Sequence, residues 1–312
     1  MDREITAAFA SVPHGVVVDA TIGGAGHSLK LLQTYEWMRV LGIDRDPLAV
    51  AASEKVAATH LEIGDRLTVR HGRFDQLPRI MQTLQITEIS GALFDLGVSS
   101  PQFDRAERGF SYRHDGPLDM RMDTTATLSA ADVVNSYDTE RLTRVIREHS
   151  DERFAFRIAK AIVANRPIAT TTQLAGIVSS AIPAPARRTG GHPAKRTFQA
   201  IRIEVNNELD MLPGALNDVI DATSAGGRIA VLTYHSGEDR IVKRVFREAE
   251  IDPSVENLAT PFADPIQSAY KRVRRVRISE RPSAQEVAQN PRAKSARLRV
   301  IEKSPRYITT GR

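Results

Sequence analysis

The sequence predicts an α/β protein: a doubly wound parallel sheet interrupted by an all-helical insertion. Three observations carry this expectation. In the first hundred residues, strand-length apolar runs alternate with segments of helical spacing. Such a βαβα series implies a parallel sheet with helices on both faces. From Ser129 to about Ile182 the spacing is helical throughout, with no strand signal. After Gly226-Gly227 an apolar strand run returns and leads into another helical segment.

The elements follow in order. Residues 15–22 (GVVVDATI) read as a buried strand entering a glycine turn, and Gly26 to about Tyr35 has helical spacing. Residues 39–44 (RVLGID) form a second strand ending in acid. Pro47 suits the first turn of a helix running from Leu48 to Thr59. Residues 67–71 make a third strand, Gln76 to Leu84 a helix, and 89–96 (ISGALFDL) a fourth strand, again ending in acid. A polar loop with Gly and Pro covers about Phe103 to Asp123. Helices are expected over 129–135, 138–148, 151–165 and 171–182, and PAPARRTGG at 183–191 closes the block. Helical spacing resumes over Thr197–Leu212 and Ala215–Thr223. A strand at 228–234 and a helix from about Gly237 to Glu250 come next. Residues 251–267 read as a loop, with late strands at 270–278 and 296–301. The expected domains are therefore 1–105, a helical insertion over 106–200, and 201–312 with a basic tail.

Composition narrows the function classes. Apolar residues make up 41% and charged residues 26% of the 312, as in ordinary globular chains. No apolar run approaches the ~20 residues that span a bilayer, and Met1-Asp2-Arg3-Glu4 opens no signal peptide. A cytoplasmic protein with no membrane partner is expected. Cysteine is absent, which excludes disulfides, thiolate metal sites and a cysteine nucleophile. The eight histidines form no pair at ligand spacing, so no metal is expected. Residues 268–312 hold 13 Lys/Arg against 3 Asp/Glu, a balance of +10 within a net charge of +5. A basic tail on a mildly acidic body suits a polyanionic partner. A solvated surface or contact with anionic lipid would leave the same pattern.

Five segments carry the chemistry. In DATIGGAGH (19–27), glycines let the backbone turn tightly between a strand and a helix, where a doubly wound sheet receives a nucleotide-like cofactor. The phosphate-binding pattern G-x-G-x-x-G fails at its last position, where Leu29 stands. Asp19 at the turn fits a ligand bearing an amine or sulfonium better than one bearing a pyrophosphate. A purely structural turn is the alternative. Asp44 lies 21 residues after Gly23, at the spacing of a carboxylate that accepts from ribose hydroxyls. Asp46, before Pro47, is the better helix cap, which leaves Asp44 free for ligand. In DLGVSSPQ (95–102), Asp95, Ser99, Ser100 and Gln102 offer donors and acceptors at the carboxyl end of the fourth strand. They suit the alignment of an amine for methyl transfer, or simply a capping turn. In HPAKRTFQAIRIEVNNE (192–208), Arg196 and Arg202 are candidates for RNA phosphates, and a partly buried amphipathic helix accounts for the segment equally well. His235, in YHSGEDR (234–240), sits on a ligand-facing rim, with a satisfied structural histidine as the alternative.

Together these segments resemble the MraW family of ribosomal RNA methyltransferases. The likeness also takes in HGRFDQL (71–77), DLGVSSPQFD with RGFSYRHDGPLDMRMD, ERFAFRIAKAI (152–162), GGRIAVLTYHSGEDRIVKR (226–244) and NPRAKSARLRV (290–300). It covers nearly the whole chain, and DLGVSSPQ with RGFS and LDMRM is its most specific part. The resemblance implies a Rossmann-like domain that binds S-adenosylmethionine and methylates N4 of a cytidine in the decoding region of 16S rRNA. The partner would then be the small ribosomal subunit or its rRNA; a homodimer stays open. It also implies cofactor contacts at Ala25, Gly26, His27, Asp44, Phe74, Asp95 and Gln102, with Phe74 stacking on adenine. Gly23 and Asp19 complete the expected cofactor set, and Asp95, Ser99, Ser100 and His235 the catalytic one. Two departures stand out. The family's opening His-x-Pro-Val-Leu segment is missing, which points to a truncated or misplaced start, and Gly237 replaces the leucine of Phe-His-Ser-Leu-Glu-Asp-Arg. Three rivals remain. A DNA amino-methyltransferase would carry an Asp/Asn-Pro-Pro-aromatic motif, a nicotinamide dehydrogenase a complete phosphate fingerprint, and a catalytically silent RNA-binding module would lack the cofactor residues.

Overall fold

The computed structural model describes residues 1–187, 191–250 and 272–305. The chain divides into two compact units: Met1–Gly97 with Met211–Arg312, and Val98–Asp210.

The first unit is a seven-stranded sheet. Its strands are β1 (Val16–Asp19), β2 (Arg39–Asp44), β3 (Leu67–His71), β4 (Ile89–Asp95), β5 (Thr223–Thr233), β6 (Val273–Arg275) and β7 (Arg297–Lys303). They lie in the order β3-β2-β1-β4-β5-β7-β6. Strands β1 to β5 pair in parallel, whereas β7 runs antiparallel to both β5 and β6. The sheet is therefore a mixed version of the expected α/β Rossmann-like fold. Hydrophobic cores lie on both faces, because successive strand residues point to opposite sides. One face gathers Val18, Leu41, Ile43 and Phe94 beneath the helices Leu77–Thr83, Leu212–Ala222 and Ser236–Ala249. The other gathers Val17, Val40 and Leu93 beneath Asp2–Ala8 and Gly26–Thr34. Strand β4 is buried at every position but its last, as a central strand covered on both sides must be.

Several boundaries differ from the sequence reading, for local reasons. Strand β5 begins at Thr223 instead of 228, pairing with Ile89 before a register shift. The helix expected over 197–212 spans Lys195–Asn206 and stops at Asn207, which adopts the left-handed conformation that Asn tolerates. The helix expected over 151–165 starts at Ala155, because the preceding turn is tied by Phe154 N donating to Glu152 Oε1 at 2.9 Å. The loop expected over 251–267 lies outside the described residues.

The second unit is helical, built on Ala130–Ser136, Thr139–Ser150, Ala155–Ala164, Thr171–Ala181 and Lys195–Asn206 around a core of its own. The polar loop before these helices is held from within. The Arg108 guanidinium donates to the carbonyls of Arg121 and Met122 at 2.9 and 3.0 Å. Buried Asn206 accepts from Met122 N and donates to the Met120 carbonyl, both at 2.7 Å. No helix among the described residues is long and apolar enough to cross a membrane.

The basic tail is partly neutralised where it is described. Arg272 pairs with Asp221, Arg274 with Glu302, Arg275 with Glu250, and Arg299 with Asp239. Lys303 donates to the Ile220 carbonyl. Much of its charge therefore fastens the β6–β7 edge.

Candidate active site

The parallel strands β1, β2 and β4 each end in a carboxylate at one edge of the sheet. Asp19 is level with Gly42 and Leu93, Asp44 with His71, and Asp95 with Leu232. The turn leaving β1 is fastened to its neighbours. Ile22 N donates to the Ile43 carbonyl at 3.0 Å, Thr21 Oγ1 accepts from Asp95 N at 2.7 Å, and Ser53 Oγ donates to the Gly23 carbonyl at 2.8 Å. Gly42 gives the turn room, since a Cβ there would stand 2.1 Å from the Ile22 side chain.

Asp19 faces inward. It is 3% exposed, and its carboxylate accepts from Ser28 Oγ at 2.6 Å and from Thr21 N at 3.3 Å. Burial pushes its pKa from 3.8 up to about 6, against the opposing pull of the Ser28 hydrogen bond and the His27 charge. The folded state thus binds the proton more tightly than the unfolded chain does. The penalty is absent below the unfolded value, grows as pH rises through the window from 3.8 to about 6, and is complete above it. That difference is worth about 3 kcal/mol. Asp19→Asn is therefore expected to stabilise the fold at pH 8 and to give no advantage at pH 4, in thermal unfolding at the two pH values. An equal effect at both would mean that the carboxyl does not titrate in this window.

Asp44 is poised differently. Oδ2 accepts from Gly23 N and Oδ1 from Asp46 N, each at 2.9 Å. Burial raises its pKa, and those backbone donors partly offset the rise. Asp46 caps the helix Pro47–Thr59 by accepting from Leu48 N at 3.0 Å. Each carboxylate oxygen of Asp44 keeps a lone pair beyond its backbone donor. Phe74 opens the short turn after β3 and meets Phe94 edge-on at 5.7 Å, with its ring half-buried.

Asp95 is clamped from two sides. The Tyr234 hydroxyl donates to Oδ1 at 2.9 Å, and His27 Nε2 lies 3.5 Å from Oδ2. His27 Nδ1 is 3.2 Å from Asp2. Burial pulls the His27 pKa down, but the hydrogen bond and charge of Asp95, with Asp19 and Asp2 behind them, hold it above the ordinary imidazole value. Burial, reinforced by Asp95, raises that of Tyr234, which keeps the phenol a donor. Glu238 Oε2 in turn accepts from Tyr234 N at 2.7 Å and from His235 N at 3.2 Å.

The ring of His235 is turned towards its own helix. Nδ1 accepts from Glu238 N at 3.4 Å as the cap of Ser236–Ala249, and Nε2 lies 3.1 Å from Glu238 Oε1. Ser99, Ser100 and Gln102 belong to the helical unit. Ser99 caps the turn Ser100–Asp104, and its N–H donates to the buried Gln102 Oε1 at 3.0 Å. Arg202 is engaged by Glu208 through two 2.8 Å bonds. Arg196 stays exposed, 3.7 Å from Glu152. Thr21, Tyr234 and Glu238, which build the clamp, were absent from the sequence-based site. The signal available for Tyr234 was its place one residue beyond β5.

The MraW methylase family matches residues 1–304. The chain belongs to this family. A protein of Thermobifida fusca named ribosomal RNA small subunit methyltransferase H is 48% identical over 96% of this chain and 90% of its own length. Proteins of the same name from Parafrankia sp. and Mycobacterium bovis are each 47% identical, over 94% and 92% of this chain and 88% and 73% of theirs. Among solved structures, an rRNA methylase from Streptococcus thermophilus aligns over 97% of this chain and 95% of its own, at 11% identity and a TM-score of 0.43. As a methylase of this family the protein uses S-adenosylmethionine as methyl donor. A Cβ built at Gly24 or Gly26 would meet nothing within 4 Å, so the turn after β1 is open at these two positions.

Proposed function

We propose that the protein methylates N4 of a cytidine in the decoding region of 16S rRNA, with the small ribosomal subunit or its RNA as substrate. The observation that carries this reading is the 47–48% identity, across more than nine-tenths of the chain, to proteins named ribosomal RNA small subunit methyltransferase H. S-adenosylmethionine supplies a sulfonium-bound methyl group that an amine takes by in-line displacement. In this reading Asp44, fixed by its two backbone donors, accepts from the ribose hydroxyls, and the Phe74 ring flanks the adenine. Gly26 and Ala25 let the backbone approach the ligand. Asp19 holds the turn from below and meets no ligand.

Asp95 accepts an N–H of the target amine. An acceptor there aligns the nitrogen and favours the pyramidal geometry that frees its lone pair. Tyr234 and His27 fix the carboxylate in advance, so no reorganisation is needed when the substrate arrives. His235 is given no step in this scheme, because its ring caps the helix Ser236–Ala249. The test is mass mapping of methylated nucleotides in small-subunit rRNA from cells with and without this gene. Loss of one N4-methylcytidine, restored by the intact gene, is the expected result. An unchanged pattern would remove the substrate assignment.

A further inference from the structure

The helix Ala155–Ala164 has two unlike faces. Ala155, Ile158, Ala159 and Ile162 are buried in the core of the helical unit. The opposite side presents Phe156, Arg157 and Lys160, and Arg153 stands two residues before the helix, all exposed. Phe156 is 57% exposed, one of three exposed large apolar side chains among the described residues. Residues 153–168 contain four Arg/Lys and no Asp/Glu. Among the described residues, Arg153, Arg157 and Lys160 have no acidic partner. In the basic tail, by contrast, Arg272, Arg274, Arg275 and Arg299 are ion-paired. The Arg153 guanidinium sits 4.7 Å over the Phe154 ring, which leaves its charge available.

We infer that this face docks single-stranded RNA: Phe156 stacks on an unpaired base while Arg153, Arg157 and Lys160 grip the flanking phosphates. The inference rests on the rRNA reading above and adds the surface that holds the substrate. Arg157 and Lys160 stand about 4.5 Å apart along the helix axis, and Arg153 precedes the helix, so a strand lying along this side meets a succession of positive charges. An aromatic ring set among cations suits nucleic acid, whose bases offer flat faces and whose backbone offers charge. A protein-binding anchor would instead be ringed by further apolar surface, and the exposed neighbours of Phe156 on this helix face are charged.

The test uses the full chain, a fluorescein-labelled oligocytidine strand and a small-subunit rRNA transcript, with anisotropy read over a salt series. Arg153→Glu/Arg157→Glu/Lys160→Glu together should weaken binding at least about 30-fold. Three lost phosphate contacts should also flatten the log–log salt slope by about 2. Phe156→Leu keeps an apolar side chain but loses the stacking plane. It should cost about 10-fold, and Phe156→Trp should restore it. Cofactor affinity by calorimetry, the thermal midpoint and kcat at saturating RNA should stay at wild-type values, the effect falling on KM. Unchanged KM and salt slope in folded variants would overturn the inference while leaving the methylation reading intact. Loss of binding to phosphatidylglycerol vesicles with RNA binding unchanged would overturn it in favour of a lipid surface. A wild-type protein that binds RNA through this face yet methylates no rRNA would sink the reading of function and leave the surface standing.

Discussion

Gly26→Val should fold normally and lose its hold on S-adenosylmethionine. The position is the first residue of the helix Gly26–Thr34, and a side chain there would meet no protein atom within 4 Å. Valine tolerates a helix no worse than glycine does, so the thermal midpoint should not fall. The open space is the one the cofactor fills in the reading above. Forcing a branched side chain into a filled site costs about 1–3 kcal/mol, or roughly 10- to 100-fold in affinity. Calorimetric titration of the variant measures this directly. Gly214→Ala is the control. It lies within the helix Leu212–Ala222, its Cβ would also meet nothing, and it should leave cofactor affinity unchanged. Wild-type affinity in Gly26→Val would place the ligand elsewhere.

The second large effect is expected at Asp95. Asp95→Ala removes the acceptor assigned to the target amine and should reduce kcat by about 10²–10³, within the range for a positioned acid–base group. Tyr234→Phe leaves the carboxylate in place but frees one of its oxygens. The lost charge-assisted hydrogen bond is worth about 1.5–3 kcal/mol, but phenylalanine stands at this position in the Phe-His-Ser-Leu-Glu-Asp-Arg pattern and His27 still faces the other Asp95 oxygen, so kcat should fall far less than in Asp95→Ala, with cofactor affinity little changed. A separate readout comes from His27, whose pKa stands above the ordinary imidazole value because of Asp95. The proton on His27 therefore favours the folded state below the unfolded imidazole pKa, and that contribution is lost as pH rises through the folded one. In Asp95→Asn, burial is no longer outweighed, and the His27 titration followed by NMR should move to lower pH. A His27 titration unmoved by that change would remove Asp95 from its surroundings, and full activity in Asp95→Ala would remove it from the reaction.

What could be read beforehand was local. Strand β2 was legible to the residue because RVLGID is a short apolar run between polar ends, and the cap at Asp46 followed from its place before Pro47. What escaped depended on partners far apart in sequence. Tyr234 meets Asp95 across 139 positions, and nothing near either residue announces the other. The antiparallel course of β7 was invisible for the same reason: its seven residues have the composition of any buried strand, and direction is set by pairing with β5. The ion pairs of the basic tail were also illegible, because composition counts charges without their counterions. Glu302 alone takes up both Arg228 and Arg274. His235 follows the end of β5, but a histidine three positions before a glutamate is also well suited to cap a helix, as it does here.

The interruption between β4 and β5 also constrains how the molecule can be made. Asp95 is in register with Leu232, so this pairing must wait until 137 further residues have left the ribosome. At about 5–20 residues per second, the delay is on the order of 7–30 s. Throughout it, β4 has β1 on one side and an open hydrogen-bonding edge on the other, while the intervening segment already holds everything its own core requires. The helical unit is therefore positioned to finish first during synthesis, and completion of the sheet, with the Tyr234 clamp on Asp95, becomes a late event in the birth of the chain.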